Sequence, residues 1–397
     1  MQARADGGGV QHTPASSRWS DPLGAALALL GLALLATALT FWVGSAPGWA
    51  YDFSAYYHAA LRLVTTGSPY QAETLGGPFR PGPAGLYLYS PLPAILLVPL
   101  TALTEHTASL VWLGFRLAIL GLTAALMPVP RWVRLATFGV AALSAPILLD
   151  LNLGNVSLIV TFLAVVTWRW LDRPLGSITI ALSVFVRPTM ALIAGWWLLR
   201  GLWRPVAWAA VAGLALVLAS LPFYGVEPWL EYVVMLRNIT DVTGVPRNVD
   251  LGSAVLHLGG PEWLASLALF AGYAVAVIAV LLSLRRDREL SFVVAVVATL
   301  WLAPLVWDHY FTHLLVPAAF LAARGRPWGL ALPLLCWLPA LFDALDPAPD
   351  DGTSVIFPLI ALAALLLPFT APDRGQPAGV FLDRLNRRPG ARQSAAS

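Results

Sequence analysis

A chain of 397 residues that is 58% hydrophobic and only 11% charged, with a mean hydropathy of +0.73, has more apolar surface than a soluble core of that size hides. The composition excludes a soluble globular protein, and a net charge of +3 is what short membrane loops require, so the basic balance gives no ground for a nucleic-acid partner. Apolar runs of roughly 15–22 residues without strict alternation argue against an outer-membrane barrel and predict an all-α polytopic membrane protein with about 12 transmembrane helices and two long extracytoplasmic loops.

All 24 basic residues are Arg, and their positions set the orientation. Residues 1–21, with Arg4 and Arg18, read as a disordered cytoplasmic tail. A first helix over 23–43 then runs outward and is retained, with no small-residue cleavage site close behind it. The loop that follows, 44–90, is too long for a connector and rich in Gly, Pro and aromatics, which predicts short surface-lying helices over a cavity. Its first helix covers 53–66 and stops at Gly67-Ser68-Pro69. The run 91–104 contains Pro91, Pro93 and Pro99 and is expected as a half-helix on the outer side, with 109–127 as the true span. Between Arg173 and Arg200 only two short segments fit, turning on the outer side at Arg187-Pro188. A span at 208–223 leads to the second outer loop, 224–262. Spans at 263–284, 290–306, 310–323, 328–342 and 353–371 follow, so the transmembrane domain covers 22–372 and an Arg-rich cytoplasmic tail covers 373–397. No internal repeat of the secondary-transporter kind is visible. The single Cys336 lies in an apolar run and excludes an internal disulfide.

This topology brings Asp52, Asp150 to Asn155, Arg187, Asn248 to Ser253 and Asp308 to His313 to one outer boundary. An acid, an Arg, amides and a His at one level read as an active site beneath an outer vestibule. Asp52, where the first span meets its loop, is a candidate for proton chemistry, and it is equally well placed to cap the helix that follows. Arg187 can hold a phosphate through paired N–H donors or snorkel to lipid headgroups. Asn152 and Asn155 fit helix capping better than ligand binding. His309 and His313 stand four residues apart on what would be one helical face, a metal-ligand spacing, yet no Glu of a His-Glu-x-x-His and no third ligand accompanies them. A hydrogen bond to a substrate oxygen suits His309 better, and His313 is assigned a structural place; neither a metal nor a cofactor is expected. A transporter or lipid flippase would also use an acid and an Arg in a polar cavity, whereas an intramembrane metalloprotease built on the two histidines lacks its general base.

Asp52 followed by Tyr56-Tyr57 and Gly67-Ser68-Pro69-Tyr70, then Tyr87-Leu88-Tyr89-Ser90-Pro91, Asn152 to Ser157, Arg187-Pro188 and Pro304 to Tyr310 form a series of landmarks. In this series the chain resembles the GT-C glycosyltransferases of family 87, polyprenyl-phosphate-mannose-dependent mannosyltransferases typical of mycobacteria and other actinobacteria. The resemblance runs from the first span to about residue 345. Asn155 stands where the family has Gln, Arg187 where it has Lys, and Asn248 to Ser253 follow its Gly-Asn-Gln-Ser only loosely. The resemblance implies a GT-C fold and transfer of a sugar, mannose above all, from a polyprenyl-phosphate donor to a glycolipid or lipoglycan acceptor. The reaction would proceed with inversion on the extracytoplasmic side of the inner (plasma) membrane, whose lipids are the remaining partner. Asp52 would deprotonate the acceptor, and Arg187 with His309 would hold the departing phosphate. Tyr56, Asn152, Asn155, Asn248 and Asp308 would be further substrate-binding residues. Because the sugar is already held in a phosphodiester, such chemistry demands no metal.

Overall fold

The computed structural model describes residues 20–43, 45, 48–77, 85–239, 242–243, 245, 247–345 and 351–373. Nearly all of both expected tails lies outside these residues. In chain order the first ten helices are α1 (Ser20–Trp42), α2 (Tyr51–Thr66), α3 (Ala72–Leu75), α4 (Pro91–Leu97), α5 (Glu105–Leu126), α6 (Arg131–Leu143), α7 (Ala145–Leu153), α8 (Ser157–Arg169), α9 (Pro174–Val186) and α10 (Ala191–Leu199). They are followed by α11 (Trp203–Tyr224), α12 (Glu227–Asn238), α13 (Leu251–His257), α14 (Glu262–Ser283), α15 (Arg288–Trp301), α16 (Leu315–Ala323), α17 (Leu332–Leu335), α18 (Leu338–Leu345) and α19 (Asp351–Leu366). No strand occurs among the described residues.

Four helices, α1, α5, α11 and α14, are long and apolar enough to cross a membrane, and α6 with α7, bent by 61° at their junction, makes a fifth if the pair is one span. A 22-residue helix is about 33 Å long, enough for a hydrocarbon core of about 30 Å, whereas a 13-residue one such as α8 or α9 reaches only about 20 Å. Helices of crossing length therefore number four or five among the described residues, where hydropathy predicts about 12 crossings. Long and short helices differ in their surroundings. Over their apolar windows α1, α11 and α14 are only 17%, 6% and 22% buried within the protein, which leaves an apolar surface suited to lipid. By contrast Leu290 to Leu300 of α15 and Leu315 to Ala322 of α16 are buried throughout, and α8 is buried over most of its length.

The breaks have local causes. Pro146 in the first turn of α7 starts a new helix instead of extending α6, and Pro188 cannot donate to the carbonyls of α9. The preceding Arg187 is extended (φ −139°, ψ 101°), as a residue before proline prefers. The 91–104 run is, as expected, incomplete: α4 passes into a 3₁₀ turn at Val98–Ala102, and α5, capped by the Thr104 hydroxyl at 3.3 Å from the Thr107 N–H, is the full span. Glycines let α1 lie directly on α6, where a Cβ on Gly31 would stand 2.6 Å from the Gly139 carbonyl oxygen.

Two expectations are corrected here. The 310–323 segment is not one α-helix: Asp308–Leu314 is 3₁₀ and α16 starts at Leu315. With three residues per turn, His309 and His313 point about 120° apart and do not share a face. Helix α2 begins at Tyr51, with Ala50 as its N-cap in a left-handed conformation (φ 55°) and no side-chain cap, so Asp52 lies in the first turn and is not the cap.

Candidate active site

The site grows from the turn between α7 and α8. Gly154 there has φ +79°, and a Cβ on it would stand 2.5 Å from the Phe53 Cβ, so both its backbone and its neighbour require glycine. Because nothing separates them, the start of α2 sits on this turn. The Ala50 N–H donates to the Asn152 carbonyl at 2.8 Å, and the Trp112 indole N–H donates to the Gly154 carbonyl at 2.8 Å. Asn155 thereby meets Asp52. Its Nδ2 donates to Asp52 Oδ2 at 2.8 Å, while its Oδ1 accepts from the Ser157 N–H at 2.9 Å and the Ser157 hydroxyl at 2.8 Å. One amide thus caps the start of α8 with its oxygen and holds the acid with its nitrogen.

Arg187 reaches the same place from the α9–Pro188 break. It does not snorkel: the residue is 6% exposed and turned into the protein. Its Nη2 donates to Ser157 Oγ at 2.6 Å, its guanidinium carbon lies 3.5 Å over the Tyr310 ring, and its Nη1 has no hydrogen-bond partner. A cavity of about 490 Å³ is lined by Asp52, Tyr56, Tyr89, Asn155, Arg187, Asp308, His309 and Tyr310. Arg247, exposed and in a left-handed conformation at φ 64°, also lines it. His309 is buried, its Nδ1 3.4 Å from Asp308 Oδ1, and its Nε2 makes no hydrogen bond. Asp308 in turn accepts the His309 backbone N–H at 2.8 Å.

The Tyr56 and Tyr89 hydroxyls meet at 3.0 Å and form a wall. Burial pushes both phenols up, so they stay protonated. Behind them is a second cavity of about 470 Å³ with an almost wholly apolar lining, sharing Tyr56, Tyr89 and Val186 with the first. Its wall includes Leu96, Val111 and Phe115, which are 66%, 49% and 47% exposed on the outside of the molecule.

Burial also pushes the Asp52 carboxyl above its ordinary value, and the nearby His309, the Asn155 hydrogen bond and Arg116 pull it back. Arg116 is itself buried in α5 and pairs with Asp150 at 3.5 Å, donating as well to the Leu151 carbonyl at 2.8 Å. Asp150 accepts the Leu158 N–H at 3.2 Å. This pair ties α5 to both helices of the turn that carries Asn155.

The structure gathers Asp52, Tyr56, Asn155, Arg187, Asp308 and His309 in one cavity. Asn152 and Asn248 do not line it. Asn248 is fully buried, and its amide brackets the chain: Nδ2 donates to the Val242 and Pro304 carbonyls at 3.0 and 3.2 Å, and Oδ1 accepts from the Val306 N–H at 2.9 Å. Nearby, Asp250 caps α13 through the Gly252 and Ser253 N–H groups. His313 is buried with Nδ1 3.0 Å from the Thr161 hydroxyl, away from the cavity. Among the described residues no three His, Cys, Asp or Glu side chains cluster closely enough to hold a metal ion. Sequence reasoning assigned no role to Ser157, Tyr89, Tyr310 or Arg116, although the first three lie within its landmark segments; Arg116, a lone cation inside an apolar span, carried a signal that was not used.

The family model of glycosyltransferase family 87 matches residues 87–307, a stretch that contains Asn155, Ser157 and Arg187, with Asp52 upstream and Asp308 and His309 just beyond. No curated protein and no solved structure is matched. The matched stretch exceeds half of the chain, its helices are those of a multi-pass membrane protein, and this membrane glycosyltransferase belongs to glycosyltransferase family 87.

Proposed function

We propose that the protein transfers mannose from a polyprenyl-phosphate donor to a hydroxyl of a glycolipid or lipoglycan, on the extracytoplasmic side of the plasma membrane and with inversion at the anomeric carbon. The observation that carries this reading is a buried arginine, its Nη1 without a hydrogen-bond partner, lining the same cavity as a half-buried carboxylate. Asp52 takes the acceptor's proton as the acceptor oxygen bonds to the anomeric carbon. The bond from that carbon to the phosphate oxygen breaks, and its electron pair leaves with the polyprenyl phosphate. Arg187 Nη1 and His309 Nε2 meet the charge that develops there. The adjoining apolar cavity supports a lipid-borne donor, because an isoprenoid chain finds no better solvent near the phosphate. The orientation rests on the Arg residues at the opposite helix ends, such as Arg131, Arg173, Arg200 and Arg324, which belong on the cytoplasmic side. In that topology α9 rises and α10 returns about the turn at Arg187.

The test is incubation of membranes containing the protein with labelled polyprenyl-phosphate mannose and a lipid extract of the same cells. The expected result is a labelled glycolipid of inverted anomeric configuration, formed by the wild type and not by Asp52→Asn. Movement of the intact donor between leaflets without sugar transfer would establish the flippase reading instead.

A further inference from the structure

The polar groups between Arg187 and Asp52 form one chain whose every hydrogen has a fixed place. A guanidinium only donates, so Ser157 Oγ accepts from Arg187 Nη2 at 2.6 Å and has a single hydrogen left to give. That hydrogen goes to Asn155 Oδ1 at 2.8 Å, onto which the Ser157 backbone N–H also converges at 2.9 Å. An atom receiving two donors must be the amide oxygen, which settles the orientation of Asn155 and turns its NH₂ to Asp52 Oδ2 at 2.8 Å. Oδ2 must therefore act as an acceptor. Ser157 and Asn155 are 0% and 3% exposed, so water does not compete for these bonds.

We propose that Ser157 is a positioning residue: its one hydroxyl holds the anion-facing arginine and, through Asn155, the acid, and so assigns the acceptor's proton to Oδ1 of Asp52. The inference rests on the reading of Asp52 as the base and Arg187 as the phosphate ligand. In the transfer step the acceptor O–H bond breaks, Oδ1–H forms, and Oδ2 stays bound to Asn155 throughout. The dipoles of Ser157 and Asn155 align head to tail from cation to carboxylate, which favours the ionised acid. The other charged or titratable groups facing Asp52 are His309, Asp308 and Tyr310 from the 3₁₀ segment, Arg116 from α5, Asp150 from α7, Tyr51 and Tyr56 from α2 and Tyr89 from the loop before α4. None of them touches Ser157 in a hydrogen bond, so a change at Ser157 reads the chain alone.

The experiment measures the pH profile of kcat/KM and the donor KM for the wild type, Ser157→Ala, Ser157→Thr and Ser157→Val. Losing the hydroxyl should move the acidic limb up by about half to one pH unit and raise donor KM roughly three- to tenfold. Threonine should restore both. Threonine and valine have the same outline with and without the hydroxyl, so this pair carries the test if alanine lowers the folded yield. A valine variant equal to threonine in both readouts, with Asp52→Asn inactive, overturns the positioning role and leaves the base standing. An active Asp52→Asn overturns the base reading on which the inference rests.

Discussion

Arg187 and Arg324 are both buried at helix ends, 6% and 8% exposed, yet their surroundings differ completely. Arg324 is saturated: it pairs with both oxygens of Asp287 at 2.9 and 3.1 Å, with Glu289 at 2.9 Å and with the Pro372 carbonyl at 2.8 Å. It ties the end of α16 to the start of α15 and to the C-terminal segment. Arg187 has a hydroxyl on one side, an aromatic ring on another, and no carboxylate within ion-pair distance among the described residues. Burying a guanidinium costs several kcal/mol unless anions surround it. The saturated arginine has met that cost within the chain, whereas the cavity arginine still requires an anion from outside. Burial by itself therefore does not mark a functional cation, and neither does a missing ion pair, since Arg200 is also buried without one among the described residues; what sets Arg187 apart is that it lines the cavity that holds Asp52.

The comparison breaks most sharply at the acid that shares the cavity. Asp52→Asn should lower sugar transfer about 100- to 10,000-fold, the usual worth of a general base, with the protein still inserted and folded; unchanged turnover in membranes would remove Asp52 as the base. Next comes the saturated pair. Arg324→Ala should destabilise the protein by about 3–5 kcal/mol, because it removes the paired cation from the buried Asp287 carboxylate, while the donor KM of the folded fraction stays as in the wild type. Arg187→Ala should do the reverse, lowering kcat/KM for the donor roughly 10- to 100-fold with little change in thermal unfolding. Equal stability losses for the two variants would erase the distinction between them. The smallest effect concerns pH. Since burial raises the Asp52 carboxyl above its ordinary value and the base works ionised, transfer should fall as pH drops through that raised value. Asn155→Ala removes a bond to the charged form and should shift the acidic limb upward by about half to one unit, whereas Arg324→Ala should leave the limb in place.

How much of this was legible in the sequence depended on whether a residue's presence was itself costly. Asp52, Arg187 and His309 stood out because charge and imidazole are expensive near an apolar phase and are seldom there without cause, and the cavity collects all three. An amide gives no such signal: Asn155 and Asn248 look alike in sequence, but one faces the acid and the other brackets backbone. Ser157 closes the landmark at 152–157, but nothing in its own residue type pointed to a role, because a serine at a helix start is ordinary. Among the described residues four or five helices reach crossing length where hydropathy predicts about 12 crossings, because hydropathy measures how apolar a run is and not how long its helix is or whether lipid or protein surrounds it; α15 and α16 are apolar and lie inside the molecule. The paired histidines misled because spacing is read on an assumed α-helix, and a 3₁₀ segment turns the same spacing to different sides.

Gly154 also bears on how the molecule is assembled. The contact it permits joins Phe53 to a turn about a hundred residues later in the chain, and the cavity is not closed until Arg187 and then His309 have followed. During synthesis the first helices leave the ribosome well before their partners, and non-local contacts form late and slowly. Until the α7–α8 turn is in place, the first turn of α2 has Trp112 of α5 to pack on but not the turn that fixes its start, and its acid lacks the Asn155 amide. A side chain at Gly154 would therefore act on biogenesis as much as on catalysis, giving protein that inserts but matures slowly.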